Sequence, residues 1–146
     1  MESEFTEQSS INNTSHNSSP SNVVSAVLTP STAPLIFDQL LNSLADPALP
    51  WEPFREGIEA ARIYSAGPGG PSAAFLRYQP GASLGRHRHQ GYEHILILSG
   101  SQIDDNGEHL AGTLIVHPPG SSHGITSVIG CVVLAIWEKP VIFEME

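Results

Sequence analysis

The chain has 146 residues, of which 40% are hydrophobic and 14% are charged, and its net charge is −9. The length and hydrophobic content suit one domain with its own core. The acidic balance excludes a nucleic-acid surface, which needs clustered lysine and arginine. We find no apolar run that could span a membrane and no secretory or transit signal, so we expect a cytoplasmic protein without a membrane partner.

The N-terminal region differs in composition from the rest of the chain. Residues 1–32 are rich in serine, asparagine and threonine and contain no lysine or arginine, which predicts a disordered tail. Residues 33–50 are interpreted as a short helix and a linker, because apolar residues recur at helical spacing between Pro34 and Leu44. The remaining residues, 51–146, form the predicted domain.

Short β-type runs separated by glycine- and proline-rich turns fill this domain. The predicted strands are Ile58–Tyr64, Ala73–Tyr78, Glu93–Leu98, Leu114–Val116, Gly124–Ile129 and Cys131–Trp137. Asn106-Gly107 predicts a hairpin turn. Many short strands with almost no helix indicate an antiparallel sandwich or barrel. Cys131 is the only cysteine, which excludes an internal disulfide, and we expect it to be a buried small hydrophobe.

Three histidines and one glutamate form a candidate set of metal ligands: His87, His89, Glu93 and His123. Imidazole and carboxylate groups together suit divalent iron, nickel, copper or zinc. The simpler alternatives are a hydrogen-bonded core histidine and a polar strand face. Neither explains why a carboxylate and a further imidazole fall inside glycine-framed, turn-rich segments, so we favour metal binding.

The spacing suggests how these side chains converge. His87 and His89 are two residues apart, so they face the same side of an extended strand. We expect Glu93 to follow a turn and to reach the histidine pair from the next antiparallel strand, as in a hairpin, with His94 on the opposite face. His123 is expected to arrive from a second hairpin after a rigid proline-glycine turn.

The two segments resemble the two motifs of the cupin superfamily, whose fold is a double-sheet jelly roll. The first motif matches at Gly81, His87, His89, Glu93 and Gly100, and the second at Gly112, Pro118, Gly120 and His123. Ser127 stands where the family usually has asparagine, a structural position. The resemblance implies an all-β double-stranded β-helix that binds one divalent metal ion per chain (Fe, Mn, Ni, Cu or Zn) through the four candidate ligands.

Residues of about 50 to 140 more narrowly resemble the ChrR-type cupin, the C-terminal domain of a zinc-dependent anti-sigma factor. The matching segments include Trp51-Glu-Pro53, Gly91-Tyr-Glu-His94 and the run from His117 to His123. The sigma-binding half of that protein is a helical domain with its own histidine and cysteine zinc ligands. This chain shows no such pattern, so we expect a stand-alone cupin that does not bind a sigma factor.

Two functions follow from these expectations. The first is a small metal-dependent dioxygenase-type enzyme that acts on a small enolisable or chelating substrate. The alternative is a non-enzymatic, ChrR-like cupin that senses a metal or a ligand. A third, simpler role is a metal that only stabilises the barrel. No residue is assigned a catalytic role and no organic cofactor is predicted. By resemblance, we expect a homodimer that covers an exposed strand edge.

Several other residues are candidates for the wall of the cavity, although each is better explained by packing or solvent exposure. These are Tyr78, Arg77, Tyr92, His117 and Trp137. We place His117 at the rim of the site because two prolines follow it. We expect His109, close to the hairpin turn, to be exposed.

Overall fold

The computed structural model describes residues 32–44 and 49–145. The chain divides into two compact units, Met1–Ile36 and Phe37–Glu146. Only residues 32–36 of the first unit are described, and they form no helix or strand, so the predicted tail lies almost entirely outside the described residues. The regular structure described below belongs to the second unit, and a membrane-spanning helix is not part of it.

The single helix of the described residues, α1, covers Leu40–Ser43. The N-terminal part of the predicted helix is therefore wrong, because the residues between Pro34 and Gln39 are not helical. Gln39 has a φ of 48°, in the left-handed region, and a right-handed helix cannot run through such a residue. Apolar spacing indicated which residues share a face, but it did not reveal this change of backbone conformation.

Ten strands form the rest of the regular structure. They are β1 (Glu52–Arg55), β2 (Ile58–Ser65), β3 (Ser72–Tyr78), β4 (Ser83–Arg88), β5 (Glu93–Asp104), β6 (Gly107–Leu110), β7 (Leu114–His117), β8 (Ser122–Thr126), β9 (Cys131–Trp137) and β10 (Ile142–Phe143). All the predicted strands occur, but β5 extends to Asp104 and β8 ends at Thr126. β1 and β10 were not predicted. The predicted hairpin is confirmed, because Asp104 pairs with Gly107 across the turn.

The strands form one curled antiparallel sheet in the order β1-β2-β3-β9-β5-β8-β4-β10, while β6 and β7 pair with β5 outside this path. The long strand β5 joins the two sides of the sheet. Its first half pairs with β9 and β7, and its last residues pair with β6 and β8. This architecture confirms the predicted all-β barrel of the cupin type.

Gly100 lies where β5 passes from one side of the barrel to the other. Its φ is 71°, and a Cβ at this position would lie 1.9 Å from the carbonyl oxygen of Gly130. Both observations exclude a larger residue without a shift of the backbone. The glycine that closes the first motif is therefore required by the close approach of two backbone segments.

The barrel interior is built from cross-strand rows of inward-facing residues. Ile97 on β5 pairs with Val133 on β9, which pairs with Leu76 on β3, and all three are buried. Glu93 lies four residues before Ile97 on the same face of β5, because strand side chains alternate with a period of two. His94 lies on the other face and is half-buried, as predicted.

The predicted hairpin between the strand of His87 and the strand of Glu93 is wrong. β4 pairs with β8 and β10, and the first half of β5 pairs with β9 and β7. The segment around Gln90 and Gly91 therefore carries the chain across the barrel instead of reversing it within one sheet. As a result, β4 and β5 of the first motif pair with β8 and β7 of the second.

Candidate metal centre

Three of the four candidate ligands lie on different strands, and the fourth directly follows one of these strands. His87 lies on β4 directly opposite its pairing partner His123 on β8. His89 follows the last residue of β4, and Glu93 is the first residue of β5. All four side chains are buried, each at most 3% exposed. The residues that sequence spacing singled out are therefore brought together inside the barrel.

The ligand atoms of these residues face one another. All four lie within 4.8 Å of each other. The Nε2 atoms of His87 and His123 are 3.0 Å apart, and Oε1 of Glu93 lies 3.2 Å from Nε2 of His89 and 3.5 Å from Nε2 of His123. Atoms that bind one metal ion at about 2.1 Å lie roughly 3.0 Å apart when adjacent, so the cluster is able to hold a metal ion.

The outer nitrogen of each of these histidines has a partner that fixes its tautomer. Nδ1 of His87 lies 2.9 Å from the carbonyl oxygen of Gly85, which can only accept a hydrogen bond. Nδ1 of His89 lies 2.8 Å from Oγ of Ser121. That hydroxyl already donates its proton to the carbonyl oxygen of Pro118, so the imidazole must be the donor.

The outer nitrogen of His123 also has a partner, which is a carboxylate. Its Nδ1 lies 3.5 Å from Oδ2 of Asp104. Burial alone would raise the pKa of Asp104, but hydrogen bonds from His109 and from the backbone of Asn106 outweigh burial and lower it. The carboxylate is therefore ionised and accepts a hydrogen bond from Nδ1–H of the imidazole.

These assignments leave every Nε2 atom of the three histidines without a proton. Two lone pairs then face each other across the 3.0 Å between His87 and His123, which is unfavourable unless a cation lies near them. Nε2 of His89 is buried and has no hydrogen-bond partner in the described part of the chain. Metal-binding histidines show this pattern, with the outer nitrogen fixed by a second residue.

Glu93 supplies the negative charge of the cluster. Its Oε2 accepts a hydrogen bond from Nε1 of Trp137 at 2.6 Å, while Oε1 is buried and has no hydrogen-bond partner among residues 32–44 and 49–145. The hydrogen bond from Trp137 favours the ionised form of this carboxylate. One oxygen is thus held in place, and the other faces the histidines.

His117, which was placed at the rim of the site, faces the cluster from the end of β7. It is 6% exposed, pairs with Glu93 across β7 and β5, and places Nε2 3.9 Å from Oε1 of Glu93. Burial, reinforced by nearby His123, lowers its pKa to about 4. Two prolines after His117 suggested a loop, whereas the register of β7 points the side chain inward.

Asp104 and His109 form a partly buried pair behind His123. Nε2 of His109 lies 2.9 Å from Oδ1 of Asp104. His109 is partly buried, so the prediction that it is exposed is wrong. Asp104, His117 and His123 also form a second group whose ligand atoms are mutually close. The β5–β6 hairpin was predicted, but only the folded barrel shows that its aspartate reaches His123.

A small apolar cavity of about 20 Å³ lies next to the cluster. Its lining comprises Phe54, Leu76, Tyr78, Leu84, His87, Glu93, Ile95, Ile125, Trp137, Val141 and Phe143. The volume holds about one water-sized molecule. The predicted wall residues Tyr78 and Trp137 are thus at the cavity, while Tyr92 is exposed and Arg77 forms an ion pair with Glu59.

Tyr78 and Cys131 are both buried, and burial favours the neutral form of each side chain. The hydroxyl of Tyr78 has no hydrogen-bond partner within the described residues, and burial raises its pKa above the usual value. Cys131 is buried, as predicted, and burial likewise raises the pKa of its thiol. Ser127 donates a hydrogen bond to the carbonyl oxygen of Ser101 at 2.7 Å, which confirms its structural position.

This fold, with three histidines and a glutamate gathered inside a barrel, is that of a cupin. The chain belongs to the family of ChrR cupin-like domains, whose model matches residues 43–141. None of the curated proteins matches the chain.

Solved structures share the fold at low sequence identity. An acetylacetone dioxygenase from Acinetobacter johnsonii is 19% identical, with a TM-score of 0.63 over 81% of this chain and 80% of that one. The complex of Rhodobacter sphaeroides SigE with the anti-sigma ChrR contains a chain that is 22% identical, with a TM-score of 0.55 over 73% and 70%. An RmlC-like cupin from Ralstonia eutropha is 17% identical, with a TM-score of 0.61 over 66% and 68%.

Proposed function

We propose that His87, His89, Glu93 and His123 bind one divalent metal ion, which is Fe, Mn, Ni, Cu or Zn. The observation that carries this proposal is the set of three imidazoles whose outer nitrogens all donate hydrogen bonds. Their inner lone pairs converge with Oε1 of Glu93, which is buried and has no hydrogen-bond partner in the described part of the chain. A buried set of acceptors without a donor is costly unless a cation is bound.

The protein residues have distinct roles in this centre. Asp104, Ser121 and the carbonyl of Gly85 orient the three imidazoles, and Trp137 holds one oxygen of Glu93. A five- or six-coordinate divalent metal held by these four ligands would supply a Lewis acid with a position open to an exogenous ligand. The adjoining cavity lies beside His87 and Glu93 and has mostly apolar walls.

We propose a dioxygenase-type activity on a small enolisable or chelating substrate. The support is the coordination position that a five- or six-coordinate metal would keep open at these four ligands, together with the fold shared with the acetylacetone dioxygenase. The small apolar cavity beside Glu93 and His87 has room for about one water-sized molecule. No carboxylate other than Glu93 lines this cavity in the described residues. This favours a reaction that depends on the metal and dioxygen rather than on a separate general base.

Metal content and oxygen uptake test the two levels of this proposal. Protein purified without chelators or a metal-affinity resin should contain about one divalent metal ion per chain, measured by elemental analysis. Reloaded with Fe, Mn, Ni or Cu, it should consume oxygen with acetylacetone or another β-diketone. Metal binding without turnover for any metal would remove the enzymatic part and leave the metal site intact.

A sensing role is the second candidate, and the match to the ChrR cupin-like family favours it. In that case the centre binds a metal or a small ligand and changes the barrel, and it does not turn over a substrate. Tightly held zinc with no oxygen uptake would support this role. A stoichiometric redox-active metal with oxygen uptake would contradict it.

We also propose that the chain forms a homodimer through the free edge of β7. Among the strands of the described residues, this strand pairs only with β5, and its outward-facing residues Leu114 and Val116 are exposed. An apolar edge strand is an exposed template for pairing. Light scattering coupled to size exclusion should give twice the chain mass, and Leu114→Lys should shift the protein to the monomer. A monomeric mass for the unaltered chain would disprove the dimer.

A further inference from the structure

His117 differs from the other three imidazoles of the centre in how it is held. His87, His89 and His123 each donate a hydrogen bond from Nδ1 to a fixed oxygen. In the described residues no group forms a hydrogen bond with Nδ1 of His117. Its ring is instead held by packing, because it stacks on His89 with centroids 4.9 Å apart and lies 4.1 Å from the ring of His123.

This difference separates metal ligands from a histidine with another task. Ligating histidines almost always have their outer nitrogen fixed, which sets the tautomer and directs the lone pair at the metal. His117 lacks this anchor, so its Nε2 is free to carry the proton. That nitrogen is buried, has no partner in the described part of the chain, and lies 3.9 Å from Oε1 of Glu93. A proton on this nitrogen makes it a hydrogen-bond donor that faces the centre.

The charge of the proposed metal centre indicates which class of ligand would accept a hydrogen bond from this donor. Three neutral imidazoles and one carboxylate around a divalent cation leave a net charge of about +1. A small anion that binds through oxygen neutralises this charge. A hydrogen bond from a neighbouring N–H to that anionic oxygen is charge-assisted and strong in a site with little water.

We propose that His117 is a ligand-binding residue that donates a hydrogen bond from Nε2 to the oxygen of a small monoanion held at the metal. The inference rests on the proposed metal site and adds the class of its ligand, a carboxylate, an enolate or a similar oxygen anion. His117 itself is not a metal ligand in this arrangement.

Two amide substitutions at this position make a matched test. The amide nitrogen of glutamine can reach the place of Nε2, whereas the side chain of asparagine ends near the place of Nδ1. Each variant is loaded with Co²⁺, whose visible absorption reports the metal and its coordination. The loaded proteins are then titrated with formate. His94→Gln is the control, because His94 is the neighbour of Glu93 on the outer face of β5.

The expected result is that all variants bind one Co²⁺ with the same affinity and spectrum. His117→Asn should then bind formate about tenfold more weakly, which is the loss of one charge-assisted hydrogen bond. His117→Gln should recover most of that affinity, and His94→Gln should match the unaltered protein. Circular dichroism confirms that each variant is folded.

Three results would overturn the inference, and they are distinguishable. A weaker Co²⁺ affinity or a changed spectrum of His117→Asn before formate is added would make His117 a metal ligand. Equal formate affinities of all variants would show that His117 does not contact the anion, while the metal site stands. Absence of Co²⁺ binding by the unaltered protein would remove the proposed metal site and this inference with it.

Discussion

Glu93 and Ile97 lie on the same face of β5, four residues apart, and both are buried, yet their surroundings are opposite. Ile97 packs against the apolar row that includes Val133 and Leu76. Glu93 is surrounded by imidazoles and bonded to Trp137. The apolar end stabilises the fold through burial alone. The histidine end buries polar atoms, and a bound cation would offset the cost of their burial.

Loss of a ligand at the histidine end should have the largest effect. Glu93→Ala and His123→Ala should each lower metal affinity at least about 100-fold, because the ligands of a structural zinc site share roughly 10–16 kcal/mol of binding free energy. Elemental analysis after gel filtration measures the bound metal. His94→Ala is the control, since His94 points away from the centre. A variant that retained full metal would remove its residue from the ligand set.

Creation of a cavity at the apolar end should lower the stability of the fold by a nearly comparable amount. This loss should not depend on bound metal. Ile97→Ala is expected to lower the free energy of unfolding by about 2–5 kcal/mol, since it removes buried atoms from a packed row. Urea denaturation, with and without metal, measures both terms. The loss should be the same in the two conditions. A loss that appeared only in the metal-loaded protein would mean that the two ends are not separate.

Substitution of a residue that orients a ligand should have an intermediate effect on metal affinity. Asp104→Asn removes the charge that holds Nδ1 of His123, and such second residues are typically worth 10- to 100-fold in metal affinity. Competition with a chelator measures this affinity. Asp105→Asn is the matched control, because Asp105 is exposed and pairs with Arg86 instead. Equal affinities of the two variants would show that Asp104 does not orient the ligand.

The most gradual effect is the pH dependence of the stability of the metal-free protein, because it is spread over several pH units. Burial lowers the pKa of His117 to about 4 and also lowers the pKa of His87, whereas unfolded histidine titrates near 6.5. The unfolded chain therefore binds more protons between about pH 6.5 and 4. Stability should fall as the pH falls through this window, by at most about 1.4 kcal/mol per pH unit for each such group.

Thermal unfolding of the metal-free protein at several pH values measures that slope. His117→Gln should reduce it, because one of the buried neutral imidazoles is gone. A flat profile between pH 6.5 and 4 in the unaltered protein would show that these histidines are not kept neutral in the folded state.

The sequence predicted the candidate ligands because their chemistry and spacing are local properties. His87 and His89 share a face through the period of a strand, and Glu93, Ile95 and Ile97 follow the same period on β5. The helix was only partly predicted, since apolar spacing does not report the φ of Gln39. The same limit applies to β1 and β10, whose pairing gives them strand structure that their short runs do not indicate.

The sequence by itself thus determined the all-β barrel, the family resemblance and the four residues that meet inside. Only the tertiary structure decided which strands pair, and it replaced the expected hairpin with a crossing of the barrel between β4 and β5. It also brought His117 and Asp104 to the centre. The physical reason is that a side chain's face follows from its place along one strand, whereas its neighbours depend on which distant strand forms hydrogen bonds with it.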